Sequence, residues 1–312
     1  MSPPAANPLP SGACRVRFGG ERAEVETGQG PPALRVALPV LAGAAEEQLL
    51  AGAGAPEERA GYRLFQRGSY LAGFAVAAPE PDLETATLEL YRRLFAVTAG
   101  RHLYRICNYV PRINAESQGL ENYRHFCRGR SLAFETTFGA EFQRRLPAAF
   151  AVGAAAGPLA LGFLAGEAAP RHFENPRQVP AFEYPERYGP RPPSFSRATA
   201  VEGDGAGRIF ISGTAAVRGH ASVAGGDVAL QLACTRENLA LMGEATGVGP
   251  DLGVQAGWRR SFKVFLRHAE DLGFVRAELA RRLILPGDTV SYLQADLCRA
   301  ELAVEIEATL AR

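Results

Sequence analysis

Apolar residues recur at helical spacing in two segments of the first half of the chain. In DLETATLELYRRLFAVTAG, Leu83, Leu90 and Leu94 share one helical face, and Asp82 stands where an N-cap would. GLENYRHFCRGRSLAFE spaces its apolar residues in the same way and predicts a second helix. Apolar runs predict strands around these helices, and AFAVGAAAGPLALGF predicts a two-stranded hairpin that turns near Pro158. The strand runs lie at residues 14–18, 33–41, 62–77 and 103–111.

The second half of the chain alternates strands with helices. RIFISGTAAV predicts a strand, AGGDVALQLACTRENLALM a helix, RRSFKVFLRHAEDL a strand that leads into another helix, and LCRAELAVEIEATL a final strand. Leu232, Leu239 and Met242 mark the apolar face of the first of these helices. Because helices follow strands in both halves, the sequence predicts an α/β (α+β) fold whose mixed sheets carry helices on one face.

Composition divides the chain into four parts. Residues 1–12 are rich in proline and alanine and are expected to be disordered. Residues 13–170 form the first strand–helix unit, and residues 194–312 form the second. Residues 171–193 are rich in proline and lack clean periodicity, which indicates an extended segment that crosses from one unit to the other.

Charge and cysteine usage exclude several classes of protein. The net charge is +1, so no overall field favours nucleic acid or an acidic membrane as a partner. The five cysteines lie far apart, without the spacing of a disulfide framework or a metal site. The N-terminus lacks the basic and apolar regions of a signal peptide, and no apolar stretch suits a membrane span. We therefore expect a cytoplasmic protein without a metal site.

Five short pieces of the second unit resemble the RidA/YjgF family. Members of that family carry a strand ending in SG, then GGD, a helix with ENL, a strand of the KVFI type and a terminal VEIEA. The resemblance implies that residues 194–312 adopt this fold and that residues 13–170 are a degenerate copy of it. Thr289 and Val290 stand where imine-hydrolysing members carry a substrate-binding arginine, so the resemblance does not extend to that reaction. The pieces lie at residues 212–213, 225–227, 237–239, 263–266 and 304–308.

RICNYVPRIN, GLENYRHFCRGRSLAFE and YGPRPPSFSRAT resemble the chorismatase family. These enzymes fuse a degenerate N-terminal domain to a RidA-like C-terminal domain and cleave pyruvate from chorismate. The resemblance spans nearly the whole chain. It implies a small-molecule substrate, no cofactor, and a monomer whose domains form internally the cleft that RidA trimers form between subunits.

Glu305 is the candidate general acid. Release of pyruvate requires protonation of the enolpyruvyl methylene, and a carboxyl whose pKa is raised by a closed pocket can supply the proton. The resemblance places the acid of the family at the first glutamate of VEIE, which is Glu305. Alternation puts Glu305 and Glu307 on the strand face that points away from the helices. Periodicity alone would leave both side chains in solvent, and for Glu307 that remains our expectation.

Cys298 and Gly213 are the two residues from which the resemblance predicts the product of the reaction. Taken alone, a cysteine in this context is usually a small buried apolar residue. The chorismatase branch that forms 3-hydroxybenzoate resembles this chain in its cysteine before the acid and in a glycine at the position of Gly213. In that branch the ring hydroxyl of the substrate displaces pyruvate and gives an arene oxide, which rearranges to the phenol. The resemblance therefore implies that Cys298 directs the ring opening.

The two carboxylates of chorismate require cationic partners, and the fork of arginine binds carboxylates in pairs. Arg197 in PSFSRAT and Arg130 in FCRGR lie in motifs of the resemblance, and Tyr188 lies on the proline-rich segment. We expect a cleft between the two domains to bring these three side chains together. Weaker candidates are Arg105, Arg112 and Tyr123.

Other interpretations stay open. The same pocket could hydrolyse chorismate to 3,4-dihydroxycyclohexa-1,5-diene carboxylate, or release 4-hydroxybenzoate. The chain could instead be a RidA-like imine deaminase, or a protein that binds a small acid without turning it over. His220 and His268 follow strands, but spacing identifies no partner for either, so we expect exposed loop histidines rather than catalytic bases.

Overall fold

The computed structural model describes residues 12–27 and 31–312, in which three sheets and four α-helices form the main elements. Residues 1–11 and 28–30 lie outside the described part of the chain, so the predicted disorder of residues 1–12 falls almost entirely outside it. The prediction of an α/β fold with mixed sheets and helices on one face is confirmed.

The elements run in the following order along the chain. The first half contains β1 (Cys14–Arg17), β2 (Glu24–Glu26), β3 (Ala33–Arg35), β4 (Val40–Gly43), β5 (Glu46–Leu50), β6 (Glu57–Arg59), β7 (Tyr62–Arg67), β8 (Tyr70–Val76), α1 (Leu83–Val97), β9 (His102–Pro111), β10 (Glu116–Ser117), β11 (Leu120–Glu121), α2 (Asn122–Phe138), β12 (Ala148–Ala154) and β13 (Ala160–Gly166). The second half contains β14 (Arg171–Phe173), β15 (Ala198–Gly203), β16 (Ala206–Ala215), β17 (Val217–Arg218), β18 (Ala221–Ser222), α3 (Val228–Thr246), β19 (Arg259–Leu266), α4 (Leu272–Arg282), β20 (Thr289–Gln294) and β21 (Val304–Ala311).

The six-stranded sheet has the order β12-β9-β13-β8-β7-β6 and carries α1 and α2 on one face. The Asp82 carboxylate accepts the Thr85 N–H at 2.7 Å, so the predicted N-cap of α1 is confirmed. The predicted hairpin near Pro158 is wrong, although both of its strands form. β9 lies between them, parallel to β12 and antiparallel to β13. β12 pairs with β9 through a crossover that contains α2, and parallel strands need such a connection.

The seven-stranded sheet has the order β14-β15-β16-β21-β19-β20-β4, with α3 and α4 on one face. β4 comes from near the N-terminus, so the predicted strand at residues 33–41 is in fact two strands in different sheets. Pro39 stands between them and has no N–H to continue a ladder. Since β4 and β14 both join this sheet, it draws on residues outside 194–312, and the proposed domain boundaries stay a prediction.

The helix-free faces of the sheets meet in a shared core. The four-stranded sheet, of order β2-β3-β1-β5, contributes Val16 and Leu49, the six-stranded sheet contributes Phe150, and the seven-stranded sheet contributes Phe265. At one edge β12 approaches β16, where the backbone N–H of Ala149 donates to the Ser212 hydroxyl at 2.9 Å. The candidate site lies beside this junction.

Candidate active site

A cavity of about 410 Å³ opens where β12 of the six-stranded sheet faces β16 and β21 of the seven-stranded sheet. The proline-rich segment before β15 forms one side of it, and α2 forms another. All six predicted site residues line this one cavity, although their sequence positions span more than half of the chain. They are Arg130, Tyr188, Arg197, Gly213, Cys298 and Glu305.

Glu305 points from β21 into the cavity and is 3% exposed. Its strand neighbours Val304 and Ile306 belong to the core under α3 and α4, as the alternation predicts. No described residue donates a hydrogen bond to the Glu305 carboxylate. Burial, and next the negative charge of Glu307, raise the pKa of Glu305 to about 8, while Arg197 opposes the rise. The carboxyl therefore carries its proton at neutral pH.

Gly213 provides the room that this carboxyl occupies. It lies in an irregularity of the β16–β21 ladder between Ile211 and Thr214. A Cβ on Gly213 would come within 2.1 Å of the Glu305 Oε1 atom and within 2.9 Å of the Phe150 Cβ atom. Both distances are too short for non-bonded atoms, so any larger residue would displace the Glu305 side chain or the backbone.

Cys298 lies half-buried in the cavity wall, in the connection between β20 and β21. Desolvation, and next the charge of Glu305, raise the pKa of the Cys298 thiol to about 12. Because the thiolate is the nucleophilic form, a neutral thiol of this kind is a poor nucleophile at neutral pH. The position suits an apolar or weakly polar contact with a bound molecule rather than covalent attack.

Arg197 is a buried cation of the wall, only 8% exposed. Its Nη2 atom donates to the Tyr184 hydroxyl at 2.7 Å and to the Val179 carbonyl at 3.3 Å, and its guanidinium carbon lies 5.1 Å from the centre of the Phe195 ring. Its Nη1 atom donates to no described residue. One end of the guanidinium is thus fixed by protein, and the other is available to an acceptor in the cavity.

Arg130 on α2 is 2% exposed and makes no ion pair with any carboxylate of the described residues. Its guanidinium carbon lies 4.8 Å from the centre of the Phe126 ring, and its Nε atom has no hydrogen-bond partner among the described residues. A buried cation without a counter-charge is costly to a fold. Such a cation beside a cavity is well suited to receive the carboxylate of a ligand.

The proline-rich segment covers the cavity with two tyrosines. The guanidinium carbon of Arg299 lies 4.2 Å from the ring centre of Tyr188 and 5.3 Å from that of Tyr184. His220 Nδ1 lies 3.1 Å from the Tyr188 hydroxyl oxygen. His220 is half-buried, so the expectation that it is exposed is wrong. His268 is exposed, as predicted.

Several lining residues were missed by the sequence reasoning. Tyr184 lies on the same proline-rich segment as Tyr188, and Arg299 follows Cys298 directly. Phe150 was assigned only to the wrongly predicted hairpin. No motif marks these three residues, because their contacts with the cavity come from parts of the chain that are distant in sequence. Of the weaker candidates, Tyr123 lines the cavity, whereas Arg105 and Arg112 do not.

The expectation that Glu307 is solvated is wrong. Glu307 is 3% exposed and forms ion pairs with Arg105 and with Lys263, the only lysine of the chain. Both cations also contact Glu47, at 2.6 Å and 2.5 Å respectively. Burial acts to raise the pKa of Glu47, but Arg105 and Lys263 outweigh it and lower that pKa to about 2. Next to Glu305 on the same strand face there is therefore a compensated charge cluster rather than solvent.

Two further findings concern the described residues as a set. No group of three or more His, Cys, Asp or Glu side chains in residues 12–27 and 31–312 is arranged to hold a metal ion. No helix in this part of the chain is long and apolar enough to cross a membrane. The cytoplasmic location expected from the sequence stays a prediction.

Comparison with known proteins identifies the family. The family model described as "Chorismatase FkbO/Hyg5-like, N-terminal" matches residues 50–165. A 3-hydroxybenzoate synthase from Streptomyces hygroscopicus is 38% identical over 80% of this chain and 76% of its own length. A chorismatase from Streptomyces rapamycinicus is 40% identical over 78% of this chain and 75% of its own length.

A solved chorismatase structure agrees with the sequence comparison. A chorismatase crystal structure aligns with 98% of this chain and 96% of its own, with 31% identity and a TM-score of 0.84. A RidA structure from an Antarctic Psychrobacter aligns with 45% of this chain, at 20% identity and a TM-score of 0.34. The relatives and the chorismatase structure show that this chain is an enzyme. The chain belongs to the chorismatase family, as the sequence motifs predict.

Proposed function

We propose that this enzyme converts chorismate to 3-hydroxybenzoate and pyruvate, with Glu305 as the general acid. The observation that carries the proposal is the Glu305 carboxyl, which is protonated at neutral pH and lies in a cavity lined by arginines. A dianion is attracted by such a lining, and an acid that keeps its proton can act on the bound molecule. The cationic residues that line the cavity are Arg124, Arg130, Arg187, Arg197 and Arg299.

In this proposal Arg197 and Arg130 bind the two substrate carboxylates. Both guanidiniums are buried in the wall, and both retain N–H groups without an acceptor among the described residues. Charge-assisted hydrogen bonds in a cavity with little water are stronger than exposed ones, and two of them would fix the orientation of the ring. Tyr188 would close the cavity over the substrate, held by its contact with Arg299.

The proton of Glu305 would add to the methylene carbon of the enolpyruvyl ether. This makes the neighbouring enolpyruvyl carbon, which bears the ether oxygen, electrophilic. The C–O bond to the ring then breaks, and pyruvate leaves. The ring hydroxyl supplies the oxygen that stays with the ring, so no water is consumed, and the ring gives up one proton as it becomes aromatic. That proton balances the one donated by Glu305. The atoms of chorismate are thus divided completely between 3-hydroxybenzoate and pyruvate.

The product assignment rests on Cys298 and Gly213, together with the name of one relative. A 3-hydroxybenzoate synthase is among the proteins most similar to this chain. Cys298 and Glu305 line the same cavity, so a thiol is available to contact the ring while the acid acts on the ether. We also propose that the chain acts as a monomer, because the described cavity is lined by residues from both halves of a single chain.

The test is incubation of the protein with chorismate, with pyruvate followed by a coupled dehydrogenase assay and the aromatic product identified by chromatography. We expect equal amounts of pyruvate and 3-hydroxybenzoate from the wild type. Glu305→Gln should release no pyruvate above background, because the amide has no acidic proton to donate. Glu270→Gln is the matched control, since Glu270 is an exposed residue that does not line the cavity.

The outcomes separate the alternatives. A non-aromatic diol or 4-hydroxybenzoate in place of 3-hydroxybenzoate would keep the family and overturn the product assignment. Near-normal activity of Glu305→Gln would show that another group is the acid. An absence of pyruvate release by the wild type would end the proposal.

A further inference from the structure

Glu174 contacts the buried cation Arg197 from outside the cavity, and it is not a lining residue of that cavity. We propose that Glu174 is a positioning residue of this enzyme, which fixes Arg197 for the substrate carboxylate and adjusts the charge that Arg197 presents to it. The inference rests on the proposed role of Arg197 in substrate binding. It adds a residue that no sequence motif indicates.

Strand register places Glu174 opposite Arg197. β14 and β15 are antiparallel with Phe173 opposite Ala198, so the next pair outward is Glu174 and Arg197. The backbone ladder ends before this pair. In its place the Glu174 side chain makes the hydrogen bond, because its Oε1 atom accepts the backbone N–H of Arg197 at 3.2 Å. On the other side of the chain the Arg197 carbonyl accepts the Ser212 N–H at 2.9 Å. Arg197 is therefore fixed from both sides.

The second carboxylate oxygen faces the guanidinium. Glu174 Oε2 lies 3.9 Å from Arg197 Nε, which is within ion-pair distance but beyond a hydrogen bond. Both atoms are buried, and neither has a hydrogen-bond partner among the described residues. No other carboxylate of the described residues lies within ion-pair distance of Arg197. The pair is thus a direct electrostatic contact between the candidate substrate-binding cation and one carboxyl.

The charge of this carboxyl changes near neutral pH. Burial raises the pKa of Glu174 to about 7; Arg197 opposes the rise, and the charge of Glu183 on the proline-rich segment adds to it. Ionised Glu174 neutralises part of the positive charge of Arg197. When Glu174 is protonated, the full charge of Arg197 is available to attract an anion in the cavity. Substrate binding through Arg197 should therefore weaken as pH rises through about 7.

The test measures KM and kcat for chorismate from about pH 6 to about pH 8 in Glu174→Ala, Glu174→Gln and Arg197→Met. Glu174→Ala removes the acceptor of the Arg197 N–H and should raise KM about tenfold, the size of one charge-assisted hydrogen bond, with a smaller effect on kcat. Glu174→Gln keeps an amide oxygen as acceptor and should restore most of the affinity. It should also abolish the roughly threefold rise in KM across this pH range that we expect of the wild type. Glu270→Gln, an exposed residue without contact to Arg197 or Glu174, is the matched control.

The results distinguish this inference from the proposed function. If Arg197→Met leaves KM unchanged, Arg197 does not bind the substrate, and both the role of Arg197 and that of Glu174 are wrong. If Arg197→Met raises KM but Glu174→Ala does not, only the role of Glu174 is wrong. If Glu174→Ala does not fold, the test uses Glu174→Gln alone. A pH dependence of KM in Glu174→Gln that is identical to that of the wild type would then overturn the inference.

Discussion

The absence of a side chain at Gly213 is what allows the Glu305 carboxyl to occupy its position in the cavity. A Cβ at Gly213 would lie 2.1 Å from the Glu305 Oε1 atom, and on the other side it would meet the Phe150 Cβ atom at 2.9 Å. Glu305 is held against the same ladder, opposite Ala215 on β16. The Phe150 Cβ atom is attached directly to the backbone of β12 and cannot move freely, so the carboxyl of Glu305 is the group that would have to turn.

We predict that Gly213→Ala lowers kcat for pyruvate release by about a hundredfold, the cost of misplacing a catalytic group by about 1 Å. The fold should persist, because only a methyl group is added at one cavity wall. The measurement is the rate of pyruvate release at saturating chorismate, with the products separated by chromatography. Gly273→Ala on α4, where a Cβ would meet nothing within 4 Å, is the control. Equal rates for the two variants would show that the Glu305 position is not restricted by Gly213.

The pH dependence of kcat should show one loss of activity on the alkaline side. The pKa of Glu305 is about 8, because burial and then Glu307 raise it. Below that pH the carboxyl holds the proton that the reaction needs, and above it the proton is lost, so kcat should fall as pH rises through about 8. Initial rates of pyruvate release at saturating substrate measure this, with enzyme preincubated at each pH and assayed at pH 7 as the stability control. A rate that stays constant to pH 10 would contradict the assignment.

Some features of the site could be predicted from the sequence, and others could not, for physical reasons. Alternation along VEIE correctly separates the glutamates from the core residues Val304 and Ile306, because it reflects the local pleat of one strand. The alternation does not indicate what lies opposite the strand face that carries the two glutamates. Glu305 meets a cavity and Glu307 meets Lys263 and Arg105, and those partners come from other strands.

The fold shows the same division between local and distant information. The N-cap of α1 and the apolar faces of α1 and α3 are encoded locally and were predicted. The placement of β9 between β12 and β13 was not, because two apolar strands separated by a short turn resemble a hairpin in sequence. The contact of Arg299 with Tyr188 likewise joins residues more than a hundred positions apart, and no spacing rule applies to it.

Cys298→Ala should change the product rather than the rate. The pKa of the Cys298 thiol is about 12, so it is neutral at neutral pH and cannot act as the nucleophile that releases pyruvate. We expect pyruvate release to stay within a few fold of the wild type, while 3-hydroxybenzoate falls as a share of the products. Chromatography of the products at equal pyruvate yield checks this. Cys234→Ala on α3, outside the cavity lining, is the control. Loss of pyruvate release in Cys298→Ala alone would mean that the thiol takes part in the first step.

Lys263→Met should destabilise the protein by about 3–5 kcal/mol, the cost of removing one partner from a buried ion pair. Lys263 is 4% exposed and contacts both Glu47 and Glu307. Its loss leaves the buried Glu307 and the partly exposed Glu47 with Arg105 as their one remaining partner in this cluster. Urea denaturation at neutral pH measures the free energy of unfolding. Adding Glu307→Gln to Lys263→Met removes the one carboxylate charge that Arg105 does not balance and should recover part of the loss. Arg281→Met removes an exposed ion pair and should cost less than about 1 kcal/mol. If Lys263→Met is no more destabilising than Arg281→Met, the cluster does not hold β5, β9, β19 and β21 together, because solvent or another cation replaces the lysine.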